Sequence, residues 1–206
     1  MRRNRSRGRN NALQKRPGYV RIIGGQWRGK RLPVPELPGL RPTPDRVRET
    51  LFNWLAPRLT GSRCLDLFAG TGALGFEAVS RGARGAVLVE RDRRAVGRLR
   101  EIAAALAPER LEVVEGDALA WLGSPPRPFD IVFLDPPYDG SLLPAAMRAL
   151  DAGGWLAPGA MIYLEAPAAG GPPALPAGWK LHRSGRAGAV GYHLALRPGE
   201  GGENWQ

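Results

Sequence analysis

The chain has 206 residues, 43% of them hydrophobic, enough for one α/β domain that buries roughly two thirds of its unfolded surface and too few for two. Its one cysteine, Cys64, excludes an internal disulfide, and no stretch approaches the roughly 18 consecutive apolar residues of a membrane span; a reducing cytoplasm is the expected setting. The formal charge of +11 is unevenly placed: eleven Lys and Arg precede the first acid, Glu36, and the remaining 19 of the 30 Lys+Arg balance 19 Asp+Glu.

Residues 1–18 have no apolar periodicity and read as a disordered basic arm. Such an arm attracts polyanions and neutralises phosphates; the plainer alternative is a solvated tail. It is Arg-rich and acid-poor like an organellar transit peptide, but has neither an amphipathic apolar face before Val20 nor a signal-peptide core. Residues 19–58 read as a hairpin-and-helix extension, 59–198 as the main domain and 199–206 as a flexible tail. In the hairpin, Val20, Ile22 and Ile23 lead to a Gly24-Gly25 turn, with Leu32 and Val34 on the return. Its loop is expected to display Gln26, Trp27, Arg28, Lys30 and Arg31, an aromatic among cations as nucleic-acid surfaces have, although a lone tryptophan also serves hairpin packing. Thr43 then suits a helix N-cap with Pro44 at the first helical position, and Val47, Leu51, Trp54 and Leu55 form one apolar stripe.

From Arg63 onward, strand-like runs alternate with helical patterns, as in a parallel sheet of βαβ units. The spacing predicts strands over 64–68, 86–89, 111–114, 129–134 and 160–164, and helices over 72–80, 92–106, 119–122 and 141–150. A Pro/Gly-rich loop at 167–178 precedes two segments, 179–184 and 190–196, joined by 185–188 and read as an antiparallel hairpin at the sheet edge.

Two motifs carry the chemistry. After the first predicted strand, Asp66, Phe68, Ala69, Gly70, Thr71 and Gly72 lead into a helix containing Gly75, a turn whose missing side chains let backbone approach a ligand. The spacing Gly70-x-Gly72-x-x-Gly75 also fits a dinucleotide fingerprint, and Glu90 at the next strand end can accept ribose hydroxyls in either case. Asp66 separates the two. A buried carboxylate is awkward beside a pyrophosphate but favourable near the ammonium and sulfonium of S-adenosyl-L-methionine. After the third strand, Asp117 and Ala118 can receive the adenine, although a Gly-Asp turn is also an ordinary helix cap.

The second motif is Asp135-Pro136-Pro137-Tyr138, which follows the apolar run Ile131–Leu134 and so falls at the carboxyl end of a central strand. The prolines stiffen the turn and remove donors, leaving carbonyl acceptors. An exocyclic base amine carries two N–H donors, which the Asp135 carboxylate and the Pro136 carbonyl would accept while Tyr138 stacks on the base, worth on the order of 1–3 kcal/mol. A base within a helix cannot reach such a pocket, so the substrate is single-stranded or flipped out. The sequence offers no cluster of metal ligands, and methyl transfer to an amine needs none.

These motifs resemble the class I S-adenosylmethionine-dependent methyltransferases. More narrowly, Val20–Gly29, Leu40–Thr43 with Asp45–Leu55, and Leu65-Asp66 with Phe68–Gly70 are similar to the bacterial RsmD family, over a span of 20–196. That family methylates the exocyclic amine of one guanine in 16S ribosomal RNA. The resemblance implies a Rossmann-like, seven-stranded, mostly parallel sheet with a C-terminal antiparallel hairpin. It also implies that Gly70 and Gly72 line the methionine end of the cofactor, that Glu90, with Arg91 after it, holds the ribose, and that Asp117 lies near adenine. Asp135–Tyr138 would handle the guanine, and Arg41 to Arg48, with Arg46 among them, would lie over cofactor or substrate. The implied partner is 16S RNA within small-subunit particles, approached by a monomer with no membrane attachment. Tyr138 stands where phenylalanine is common in the family, and Asp-Pro-Pro-Tyr is also typical of adenine-amine methyltransferases acting on DNA. The basic arm is longer than the family's usual one.

Three rival readings make distinct demands. An adenine-N6 methyltransferase on DNA or RNA calls for a separate target-recognition domain, for which little sequence is left. An NAD-dependent oxidoreductase needs an acid or base for hydride chemistry, and His182 and His193 lie in the C-terminal hairpin. A non-catalytic RNA-binding assembly factor leaves the acids at four strand ends, Asp66, Glu90, Asp117 and Asp135, without a role.

Overall fold

The computed structural model describes residues 18–33, 43–137 and 140–199. The basic arm up to residue 17, Val34, the stretch Leu40–Pro42 with Arg41, Tyr138, and the tail from 200 lie outside the described residues.

A short hairpin opens the described chain. Strand β1 (Tyr19–Arg21) pairs antiparallel with β2 (Arg31–Pro33), and Val20 faces Leu32 across it, both buried. The connection contains a 3-10 turn at Gly25–Trp27. Helix α1 (Asp45–Leu59) follows, with Pro44 rather than Thr43 at its N-cap and no side-chain cap. The Thr43 hydroxyl is engaged elsewhere, donating to Glu165 122 residues away at 2.9 Å. A tertiary acceptor has displaced the local one.

The main sheet is built from β3 (Arg63–Asp66), β4 (Gly85–Glu90), β5 (Leu111–Glu115), β6 (Phe129–Leu134), β7 (Leu156–Pro167), β8 (Lys180–Ala187) and β9 (Val190–Leu196). Its order is β5-β4-β3-β6-β7-β9-β8. The first five strands run parallel, and β9 pairs antiparallel with both β7 and β8. The order reverses between β3 and β6, where open α/β sheets bind ligands at their carboxyl ends.

Two apolar layers cover the sheet. On one face, α1, α2 (Ala73–Ser80) and α3 (Arg93–Leu106) pack Leu51, Phe52, Phe76 and Leu99 against Leu88, Ile131, Phe133 and Tyr163. Trp54 stacks on Tyr192 of β9, with ring centroids 5.5 Å apart. On the other face, α4 (Ala118–Trp121) and α5 (Leu142–Ala152) pack Ala118, Leu143, Met147 and Leu150 against Leu65, Val132 and Ile162. Alternation along each strand sends neighbouring side chains to opposite layers, so the central strands are apolar on both faces. Several expected boundaries shift: β3 ends at Asp66 rather than Phe68, β7 runs over Leu156–Pro167 rather than 160–164, and β8 continues through Gly185 to Ala187, leaving a two-residue turn at Gly188-Ala189.

The N-terminal hairpin is fastened to α2, a helix buried on every side. Glu77, fully buried, accepts from the backbone N–H of Ile23 at 2.8 Å and Gly24 at 2.7 Å, and from Arg48 and Arg81. Ser80 donates to the Gly24 carbonyl and accepts from the Trp27 N–H. Trp27 is therefore not displayed: only 7% exposed, it belongs to the core, because the hairpin folds back on α2 and the indole closes the seam.

Candidate active site

The five parallel strands end in a row of acids. Asp66 ends β3 and Glu90 ends β4, Asp117 follows β5, Asp135 follows β6, and Glu165 lies near the end of β7. Parallel register explains the alignment: Leu134 of β6 lies beside Leu164 of β7, so Asp135 and Glu165 fall at adjoining positions of neighbouring strands.

The glycine turn is shaped around these acids. Gly70 and Gly72 both have positive φ, 52° and 73°, and a side chain on Gly72 would come within 2.4 Å of the Phe76 ring. The Ala69 N–H donates to the Val89 carbonyl, Ala69 and Thr71 are buried, and Phe68 is half-buried. Asp66 accepts from the Gly75 N–H at 2.9 Å. Burial pushes its carboxyl up to about 7, with the charge of Glu90 adding to the effect.

Glu90 and Asp117 are partly committed to the backbone. Glu90 Oε2 accepts from the Gly70 N–H and Oε1 from Arg91 and Asp92, each at 2.8 Å. A carboxylate has about four lone-pair sites, so about one is left for a ribose hydroxyl rather than the two expected. Arg91 is exposed and contributes its backbone here. Asp117 caps α4 through Oδ1, accepting from Leu119 and Ala120 at 3.0 Å, while Ala118 is buried. The cap is the local structure, the plainer of the two expected readings of this turn.

Asp135 is half-buried, Pro136 is buried and Pro137 is exposed. The Asp135 carboxyl is held well above the usual carboxylate range, first by desolvation, then by the charges of Glu165 and Asp66, with a Thr43 hydrogen bond opposing. Glu165, 4% exposed, accepts from Thr43 at 2.9 Å and from the Tyr163 hydroxyl at 2.8 Å, and burial raises its pKa as well. Sequence reasoning missed Glu165, although it ends an apolar run as Asp66 and Asp135 do. Ending the predicted strand at Leu164 hid it by one residue.

The expected substrate-facing residues separate. Arg28, Lys30 and Arg46 are exposed. Arg48 is buried instead, donating to Glu77, to Asp45, and to the carbonyls of Arg21 and Thr43; it is a structural staple. His193 lies beside Leu164, on the opposite face from Glu165, with Nδ1 bonded to Ser184. A cavity of about 300 Å³ opens at the amino end of the sheet, lined by Arg84, Arg110, Arg127 and Phe129 among others, and none of the expected site residues among the described residues lines it.

Comparison with known proteins bears on the family and the fold. The family model described as conserved hypothetical protein 95 matches residues 20–196. Over 184 residues the chain is 51% identical to ribosomal RNA small subunit methyltransferase D of Escherichia coli K12, covering 89% of this chain and 93% of that protein. The Escherichia coli yhhF structure superposes with a TM-score of 0.83 at 49% identity, covering 88% of this chain and 99% of that one. A Salinibacter ruber RNA methyltransferase in complex with S-adenosyl-L-homocysteine shares the fold alone, with a TM-score of 0.56 at 19% identity, covering 81% of this chain and 99% of that one. The match to the family model across the whole main domain, with half of all aligned residues identical to a named member, makes this chain a member of the ribosomal RNA small subunit methyltransferase D family.

Proposed function

We propose that this chain transfers a methyl group from S-adenosyl-L-methionine to the exocyclic N2 amine of a guanine in 16S ribosomal RNA of the small subunit. The observation that carries the reading is the pair of buried Asp66 and half-buried Asp135 at adjacent strand ends beside the glycine turn, both with raised pKa. Asp66 fits the cofactor because a cation beside it offsets the desolvation that now lifts its pKa. When bound, S-adenosyl-L-methionine supplies an electrophilic methyl group on a sulfonium.

Gly70 and Gly72 let the backbone approach the methionine end, Glu90 offers its remaining lone pair to the ribose, and Asp117 serves the adenine amine. Asp135 and the Pro136 carbonyl hold the two amine protons, which aims the nitrogen along the axis of displacement. Asp135 would take up the proton that the amine gives up on methylation. Tyr138 stacks on the base, and Arg28, Lys30, Arg41 and Arg46 take backbone phosphates. Trp27, being buried, supports the hairpin that carries Arg28 and Lys30.

Labelled cofactor incubated with small-subunit particles lacking the modification, followed by nucleoside analysis, tests the reading. N2-methylguanosine at one site is the expected product; label in N6-methyladenine would keep the pocket chemistry and overturn the substrate. Proteins already bound to the RNA help present the base, so naked 16S RNA should be methylated more slowly than particles, and equal rates would refute that. Asp135→Ala should abolish turnover and keep most cofactor affinity; loss of cofactor binding with an intact fold would contradict its role.

A further inference from the structure

The acid at the end of β7 has no part in holding cofactor or base in the scheme above, yet it is the most thoroughly partnered group beside Asp135. Glu165 is buried, and two hydroxyls, from Thr43 and Tyr163, converge on its Oε1. Its strand neighbour Leu164 sits opposite Leu134, which brings Asp135 and Glu165 side by side. Thr43 also opposes the rise of the Asp135 carboxyl that desolvation and the neighbouring charges cause. One hydroxyl has one proton to give, so it serves one ionised carboxylate at a time. Two neighbouring carboxylates drawn away from water do not both ionise readily, because each charge opposes the other.

We infer that Glu165 is a positioning residue that acts on the reaction through Asp135: held by Thr43 and Tyr163 at the neighbouring strand position, it shares one proton with Asp135. The inference rests on the proposed transfer to an amine. Its consequence is that Asp135 stays basic enough to draw on the amine proton near neutral pH. When that proton arrives the pair holds two, and one passes to solvent before the next turnover.

Among the described residues, the groups facing this pair are few. Asp66 approaches from the end of β3, Tyr163 lies on β7, and Thr43 precedes α1 with its carbonyl held by Arg48. Tyr192 of β9 lies beside Glu165 in register. The network also gives Thr43 a function that a helix cap would not.

The test has one arm independent of turnover. The carboxyl carbon of Asp135, labelled with ¹³C and assigned with Asp135→Asn, is titrated by NMR in the ligand-free protein. In Glu165→Gln, where the amide oxygen still accepts from both hydroxyls, the Asp135 midpoint should fall by about one pH unit or more. In Thr43→Val the midpoint should rise, and Thr43→Ser should restore it. An unmoved midpoint in folded Glu165→Gln, or in folded Thr43→Val, overturns the inference. In the second arm, the acid limb of the single-turnover rate on small-subunit particles should follow the midpoint. The plateau rate of Glu165→Gln should fall severalfold with cofactor affinity within about twofold of wild type. Titration shifts without any transfer by the wild-type protein would sustain the pairing and sink the substrate reading. Transfer whose acid limb ignores both variants would sink the pairing and spare the substrate.

Discussion

Asp66 closes β3 inside the protein, accepts a hydrogen bond from the Gly75 N–H, and on ionising there forfeits most of its hydration. Its folded pKa of about 7 stands above the ordinary value of 3.8, so the folded state holds the proton more tightly than the unfolded one. Ionised Asp66 therefore opposes folding. The effect is absent below about pH 4, grows as pH rises toward 7 and is constant above, reaching on the order of 4 kcal/mol by linkage. A cofactor cation reverses the preference. Asp66→Asn, which keeps an acceptor for Gly75, should raise the melting temperature of the ligand-free protein at pH 8 and weaken S-adenosyl-L-methionine binding by about tenfold or more. A lower melting temperature or unchanged affinity would contradict this account. Wild-type binding near pH 7 should also release a proton, read by calorimetry in buffers of different ionisation enthalpy, and Asp66→Asn should remove that release.

Helix α2 shows at the scale of an element what the linear pattern cannot. Its glycine turn and apolar residues were readable because local spacing dictates them. Nothing in the linear pattern marks Glu77, and only the hairpin folding over it makes the carboxylate an acceptor for four donors from three segments. Trp27 and Arg48 were misread for the same reason: both sit among cations in the sequence, and contacts more than 20 residues away bury them. The strands were legible wherever apolar runs end at an acid, and Glu165 was missed where a predicted strand stopped one residue short. Removing Glu77 leaves two backbone N–H groups without their acceptor and takes from the buried Arg48 guanidinium one of its two carboxylates, so Glu77→Ala should cost about 3–5 kcal/mol in urea unfolding. Arg48→Met should cost less, since Glu77 keeps Arg81 and both N–H donors. Trypsin should then cleave Glu77→Ala at Arg28, Lys30 or Arg31 faster than it cleaves Arg48→Met. Equal costs would mean that the ion pair, rather than the backbone capture, fastens the hairpin.

On the scale of the whole molecule, the division of charge assigns two tasks to two parts of the chain. The carboxylate row at the strand ends suits a cationic cofactor and the donors of a base, and is poorly suited to attracting RNA. Attraction must come from elsewhere, and the entire excess of +11 precedes Glu36. Of those cations, Arg28 and Lys30 project from the docked hairpin, whereas Arg2, Arg3, Arg5, Arg7, Arg9, Lys15 and Arg16 belong to the arm. Each phosphate neutralised contributes roughly 0.7 to 0.9 to the slope of log affinity against log salt. Removing residues 1–18 should therefore flatten that slope by several units and weaken RNA binding most at low salt, while cofactor affinity, set at the strand ends, stays unchanged. Arg28→Ala with Lys30→Ala should reduce the slope by less than about two units, because only two phosphates are at stake. If the truncated chain keeps the full slope, the arm is a solvated tail and the hairpin face carries the RNA. If it loses both slope and turnover on particles yet still binds cofactor, long-range capture by the arm limits how often the base reaches Asp135.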